Sequence, residues 1–222
     1  MGARQLYFIS GSPPCWSVML ALEVKGLSYE GKRLDNSKRE QKAPEFLRVN
    51  PRGQVPVLIE DDLTVCETHA ILTFLDAAHE TPGQPPLFGE NPQATARCWQ
   101  CISEVESNLR DQVGDISRPL FRSKGAEFAE QITGNAEKVR AELALLEARL
   151  EGQPFIAGET LSAADLIAYP LLMQLDRAGQ REEAKEFDLA YPLNEHFPAL
   201  AAWGSRIEAL KGYDNAYPPH WK

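Results

Sequence analysis

Leu6-Tyr-Phe-Ile-Ser10-Gly-Ser-Pro-Pro-Cys15 reads as an apolar strand, a tight turn and the start of a helix. The helical pattern continues through Val18, Leu20, Ala21, Leu22 and Val24. Two prolines near a helix start cost nothing, because the N–H groups they lack have no partner there. A thiol-redox protein would carry Cys-Pro-x-Cys at this turn, its first cysteine a thiolate at the positive end of the helix dipole. Here Ser12 holds that position and Cys15 keeps the second. A hydroxyl in front cannot run a dithiol cycle, but it can stabilise the thiolate of another molecule.

Beyond that turn, Tyr29 to Leu34 reads as a second strand, and Lys38 to Val49 as a short helix ended before Asn50-Pro51. Val55-Pro-Val-Leu-Ile59 and Leu63-Thr-Val65 read as two strands around an Asp61-Asp62 turn. Glu67-Thr68 then opens a helix with Ala70, Ile71, Phe74 and Leu75 on one face. The order β-α-β-α-β-β-α is that of a thioredoxin-like domain. Residues 81–92, rich in Pro and Gly, read as a linker, and the rest of the chain reads as helices over about 93–114, 126–151, 163–178 and 198–210. Ser162-Ala-Ala-Asp165 has the form of a capping box, so Asp165 reads as a structural cap and not as a catalytic acid. Tyr217-Pro-Pro-His-Trp221 is expected to be non-helical and to pack back on the body or cover a site.

Size and composition fit this division. A chain of 222 residues exceeds one typical domain. Its 43% hydrophobic and 25% charged residues are those of an ordinary globular protein. No apolar run approaches the roughly 18 residues of a membrane helix, and the N-terminus lacks a basic, apolar signal pattern. A net charge of −9 argues against nucleic acid as a partner. The four cysteines are too few for a disulfide scaffold in a chain this large, which makes a reducing cytoplasm the expected location. Cys98-Trp-Gln-Cys101 lies inside a helix with no second pair, and the four histidines form no ligand pattern, so no metal is expected.

Four segments in order, Ser10-Gly-Ser-Pro-Pro-Cys15, Asn50-Pro-Arg-Gly-Gln-Val-Pro56, Cys66-Glu-Thr-His-Ala-Ile71 and Phe155-Ile-Ala-Gly-Glu-Thr-Leu-Ser-Ala-Ala-Asp165, resemble the cytosolic glutathione transferase superfamily. The likeness is to its serine-type members, the phi, theta and zeta-like bacterial ones. It implies an α/β thioredoxin-like glutathione-binding domain over 1–81 and an all-α helical bundle over 92–222 that contributes the electrophile pocket. It also implies glutathione as co-substrate, a small hydrophobic electrophile as its partner in the reaction, and a homodimer. The zeta signature Ser-Ser-Cys is here Ser-Pro-Pro-Cys, a departure that weighs against maleylacetoacetate isomerisation.

Glutathione brings a thiol, two carboxylates and an ammonium, and the resemblance distributes them. Ser12 is the candidate donor to the sulfur and Ser10 its competitor, with Cys15 a third choice that more simply packs inward. The competing reading of Ser12 is a plain N-cap of the first helix, and the two other segments favour the functional one. Val55 before a cis Pro56 would offer its backbone to the cysteinyl unit, although an ordinary edge-strand proline fits the residues too. Glu67 and Thr68, at a helix N-terminus, would take the γ-glutamyl ammonium and carboxylate. Gln41, Lys42 and Gln54 would hold the glycyl carboxylate, with Lys38 and Arg39 as alternatives. For an apolar electrophile pocket between the domains the candidates are Trp16, Arg118, Phe121 and Arg122, ahead of Tyr169 and Trp221. The expected reaction is attack of bound thiolate on a soft electrophile, a role in detoxification. A glutathione-dependent disulfide reductase or isomerase, and a non-catalytic interaction module, are the alternatives.

Overall fold

The computed structural model describes residues 4–80 and 85–221. They form two compact units, one reaching Pro86 and taking in the residues from Leu210 on, the other spanning Leu87–Ala209.

The first unit is built on a four-stranded sheet in the order β2-β1-β3-β4. β1 (Gln5–Phe8) pairs in parallel with β2 (Glu30–Arg33) and antiparallel with β3 (Val57–Glu60), which pairs antiparallel with β4 (Leu63–Cys66). A parallel β1–β2 pair requires a crossover, supplied by α1 (Pro13–Val24). The burial of Cys15, Trp16, Val18, Leu20, Ala21 and Leu22 makes α1 the main apolar body against the sheet. Its C-terminus closes as a Schellman motif: Leu27 N–H donates to the Leu22 carbonyl and Gly26 N–H to that of Glu23, with Gly26 at φ +65°.

The stretch expected as one helix over 38–49 is broken in two. A 3-10 turn (Glu40–Lys42) precedes α2 (Pro44–Val49), because Pro44 holds Ala43 in extended backbone at φ −69°, ψ 146°. Val55–Pro56 is cis. α3 (Thr68–Ala78) comes directly after β4 and packs on α1.

In the second unit α4 (Pro92–Val105) runs through a π-helical segment (Glu106–Arg110) into α5 (Asp111–Phe121), so the helical run extends beyond the expected end at 114. α6 (Ala129–Leu150), α7 (Ala163–Gly179), a short α8 (Leu193–His196) and α9 (Pro198–Glu208) complete it. α7 is the central helix, with buried residues on every side from Ala163 to Leu172. Of the expected linker over 81–92, residues 81–84 lie outside the described residues. Leu87 and Phe88 are buried: Phe88 stacks on Trp99 at 5.1 Å, and the Leu87 carbonyl accepts the Ala163 N–H at 2.8 Å.

Residues from Leu210 on, expected within the helical domain of 92–222, instead cluster with the first unit. α10 (Tyr213–Ala216) packs on α1. Pro219–Trp221 forms a 3-10 turn where no helical turn was expected; its one proline opens the turn, where a missing N–H costs nothing.

Candidate functional site

The site begins at the turn between β1 and α1. Ser12 precedes α1 in extended backbone (φ −78°, ψ 119°) and makes no side-chain cap bond, so the hydroxyl is not spent on the helix. Its carbonyl accepts the first helical bond, from Trp16 N–H at 2.9 Å. Burial pushes the Cys15 thiol up to about 11, against smaller lowering effects of hydrogen bonds with the Ser12 side chain and the Ile9 backbone. At 1% exposure Cys15 is a packing residue of α1. Ser10, the competing hydroxyl, is engaged elsewhere: its Oγ lies 3.1 Å from His220 Nδ1 on the C-terminal tail.

From this turn the candidate residues run on as one contiguous surface of the first unit. Thr68 Oγ1 donates to the Pro14 carbonyl at 3.5 Å, which ties the start of α3 to the start of α1. Glu67, just before α3, sits at φ +71°, a strained conformation for a residue with a side chain, and such strain concentrates at functional positions. It is exposed, and α3 begins behind it with N–H groups that have no helical partner. Cys66 pairs in register with Val57, so β4 brings Glu67 alongside the cis Val55–Pro56 segment. The backbone N–H and C=O of Val55 pair with nothing among the described residues. Burial and the Glu67 charge raise the Cys66 thiol, with Arg52 opposing.

At the next corner Gln54 is exposed, its carbonyl held by Asn50 Nδ2 at 2.8 Å. Gly53 has φ +60°, and a side chain there would strike the Gln41 carbonyl at 2.7 Å and Lys42 Nζ at 2.8 Å. Its missing side chain therefore lets the Gln41 carbonyl and the Lys42 side chain come against the backbone at Gly53, the residue before Gln54. Lys42 Nζ donates to the Arg52 carbonyl at 2.9 Å, and Gln41 Nε2 to Asn36 Oδ1 at 2.9 Å. Gln41 Oε1 is buried without a partner. Ser12, Gln41, Lys42, Gln54, Val55, Pro56, Glu67 and Thr68 are thus drawn together from separate stretches of chain.

The residues expected to line an electrophile pocket fare differently. Trp16 is 1% exposed, its ring the centre of a cluster with Tyr213, Tyr217 and Trp221 at centroid distances of 6.2, 5.6 and 5.4 Å. It anchors the tail and offers little surface to a ligand. In the second unit Arg118 and Arg122 border one shallow depression of about 220 Å³, and Phe121 lies 5.5 Å beneath the Arg181 guanidinium. Tyr169 is fully buried, donating to Glu208 at 2.9 Å.

Sequence reading missed Gly53 and His220. For Gly53 the signal was present, since Asn50-Pro-Arg-Gly is a turn, and only its role in seating Lys42 needed the fold. His220 lies 210 residues from Ser10; the tail was expected to pack back on the body, but its meeting with Ser10 needed the fold.

Comparison with known proteins bears on this surface. Residues 3–77 match the family model described as the glutathione S-transferase N-terminal domain, and residues 129–203 the model of its C-terminal domain. The chain is 30% identical over 216 residues to glutathione S-transferase A of Pleuronectes platessa, covering 96% of this chain and 90% of that protein. A crystal structure of a glutathione S-transferase from the Antarctic clam Laternula elliptica superposes with TM-score 0.82 at 28% identity, covering 99% and 94% of the two chains. A glutathione S-transferase-I bound with lactoylglutathione matches with TM-score 0.78 at 25% identity, covering 96% and 98%. Two family models over both halves and relatives of this extent leave one assignment: the chain belongs to the glutathione S-transferase family and is an enzyme of it.

Proposed function

We propose that this chain binds glutathione across the surface from Ser12 to Gln41 and activates its thiol for attack on a small hydrophobic electrophile. The observation that carries the reading is the Val55 backbone, whose N–H and C=O have no partner among the described residues, beside a cis proline and in the segment that runs alongside Glu67. An extended peptide laid there forms two strand-like bonds. Its γ-glutamyl carboxylate then meets the N-terminus of α3 and Thr68, its ammonium meets Glu67, and its glycyl carboxylate meets Gln41, Lys42 and Gln54. The structural neighbour that holds lactoylglutathione is in keeping with a glutathione-derived ligand.

Cys15 supports the choice of Ser12. A thiol with a pKa near 11 stays protonated and can donate its S–H to Ser12 Oγ, which leaves the serine proton for the incoming sulfur. The N-terminus of α1 adds its dipole, and both favour thiolate over thiol. The sulfur pair then attacks the electrophilic carbon; a leaving group departs with its bonding pair, or in an addition the π pair moves away and takes a proton from water. The same buried thiol weighs against a disulfide reductase working through Cys15.

We further infer a cytoplasmic homodimer with a role in detoxification. All four cysteines are free thiols, which fits a reducing compartment, and among the described residues no helix is long and apolar enough to cross a membrane. Leu63 on β4 is 41% exposed, and Ala70, Thr73 and Ala77 on α3 are exposed in helical register, an apolar face suited to a second copy. Calorimetry with glutathione, followed by turnover of 1-chloro-2,4-dinitrobenzene, tests the central claim. Absence of both binding and turnover in the wild type refutes it.

A further inference from the structure

The segment Pro219–Trp221 lies against the turn that carries Ser12. Ile9 to Ser12 forms a tight β-turn, closed by Ser12 N–H on the Ile9 carbonyl at 3.2 Å, with Gly11 at φ +81° in its third position. Conformation is one reason for a glycine there, and space is the other. A Cβ on Gly11 would stand 3.0 Å from His220 Cε1 and Nε2 and 3.1 Å from Trp221 Nε1. His220 Nδ1 also lies 3.1 Å from Ser10 Oγ. The imidazole therefore covers the two central residues of the turn at once.

Trp221 grips the other side of Ser12. Its ring meets that of Trp16 edge-on at 5.4 Å, in the first turn of α1, and Trp16 N–H donates to the Ser12 carbonyl at 2.9 Å. Ser12 is thus tied back to Ile9 and forward to Trp16, and the tail touches residues on both sides of it. Terminal segments are poorly ordered unless tied down. Here Trp221 N–H donates to the Pro218 carbonyl at 2.9 Å, Tyr217 packs edge-on to Trp16 at 5.6 Å, and Asn215 Nδ2 donates to Glu23 Oε2 at 3.0 Å. The Ser12 hydroxyl makes no cap bond with α1, so its direction depends on the backbone that carries it and on the Cys15 thiol. A donor to a reacting sulfur works only within a narrow geometry, and a misplacement of about 1 Å can cost on the order of 100-fold in rate.

We propose that His220 is a positioning residue for thiol activation: through Ser10 and Gly11 it holds the turn so that the Ser12 hydroxyl is aimed at the glutathione sulfur. It acts through the turn and makes no bond to the reacting atoms. This role rests on the glutathione reading above, and the measurements separate the two.

Thiolate absorbance of bound glutathione, followed across pH, reads the effect directly. In His220→Ala the bound thiol ionises at a pH higher by about 0.5–1. Its kcat near pH 7 with 1-chloro-2,4-dinitrobenzene falls about three- to ten-fold, with KM for glutathione little changed. His220→Asn, whose side-chain amide stands where the Nδ1 edge of the ring does, recovers most of the loss. Ser10→Ala gives the same shift, and combining it with His220→Ala adds nothing, because both remove one contact. In a Ser12→Ala background, replacing His220 leaves the thiol where it was. A full shift in that background means that the imidazole acts without Ser12 and overturns the positioning role, as does an unshifted thiol in His220→Ala. In the ligand-free protein, His220→Ala speeds hydrogen exchange at the Ser12 amide about ten-fold or more. Unchanged exchange overturns the hold on the turn whether or not glutathione binds. Faster exchange in the variant, with no glutathione binding in the wild type, refutes the glutathione reading and leaves that hold standing.

Discussion

Two serines flank Gly11, and the proposed donor to the sulfur is the one that does not lie against the C-terminal tail. His220 occupies Ser10, whereas the Ser12 side chain leaves the helix uncapped and meets a protonated thiol. Ser12→Ala is therefore expected to raise the thiol pKa of bound glutathione by about one to two units, and to slow conjugation near pH 7 about ten-fold or more, with glutathione affinity little changed. Thiolate absorbance measured across pH reads the first effect. The sign comes from the donor: removing a hydrogen bond to the charged form favours the neutral form, so the thiolate appears at higher pH. Cys15→Ser should leave conjugation largely intact, because that thiol is buried and neutral. Glu67→Ala is expected to weaken glutathione by about 1.5–3 kcal/mol, the worth of a hydrogen bond to a charged group. Calorimetry showing the same affinity as wild type would remove Glu67 from the site.

Among the helices and strands, capping residues decide where elements begin and end. Asp165 is fully buried. Its Oδ2 accepts from Ser162 N–H at 2.8 Å and Ser162 Oγ at 2.6 Å; its Oδ1 accepts from Ile156 N–H at 2.8 Å and Trp203 Nε1 at 2.9 Å. One carboxylate thus joins the start of α7, the preceding loop and α9. Asp165→Asn replaces one acceptor with a donor facing donors, and should destabilise the fold by about 2–4 kcal/mol. A urea midpoint within error of wild type would contradict that role. The capping box was legible because its two residues are three apart in sequence. The contact with Trp203 was not, since it depends on α9 returning to α7. Similarly, Pro44 stood in the sequence as a local breaker, but the continuous run from α4 through the π-helical segment into α5 could not be read from periodicity. A π segment inserts residues into the helical period and shifts which face is apolar.

For the molecule entire, the expected homodimer has a direct check. Sedimentation at micromolar concentration should give a species of about twice the 24.7 kDa chain, and Leu63→Asp should shift it toward one chain by placing a charge in an apolar seam. A wild-type protein that sediments as a single chain would count against the dimer. Local sequence sufficed for the thioredoxin-like order of strands and helices, the helical second half, the capping box and the segments that hold the candidate glutathione contacts. All of these rest on neighbours a few residues apart: apolar alternation, prolines at helix starts, turn glycines and caps. Tertiary structure was needed to show how Val55 is left unpaired, how Gly53 seats Lys42, that Ser10 lies against His220, and that residues from Leu210 on cluster with the first unit and pack on α1. Each of these depends on segments far apart in the chain meeting in space, as His220 meets Ser10, and no local pattern of residue types encodes which of them will meet.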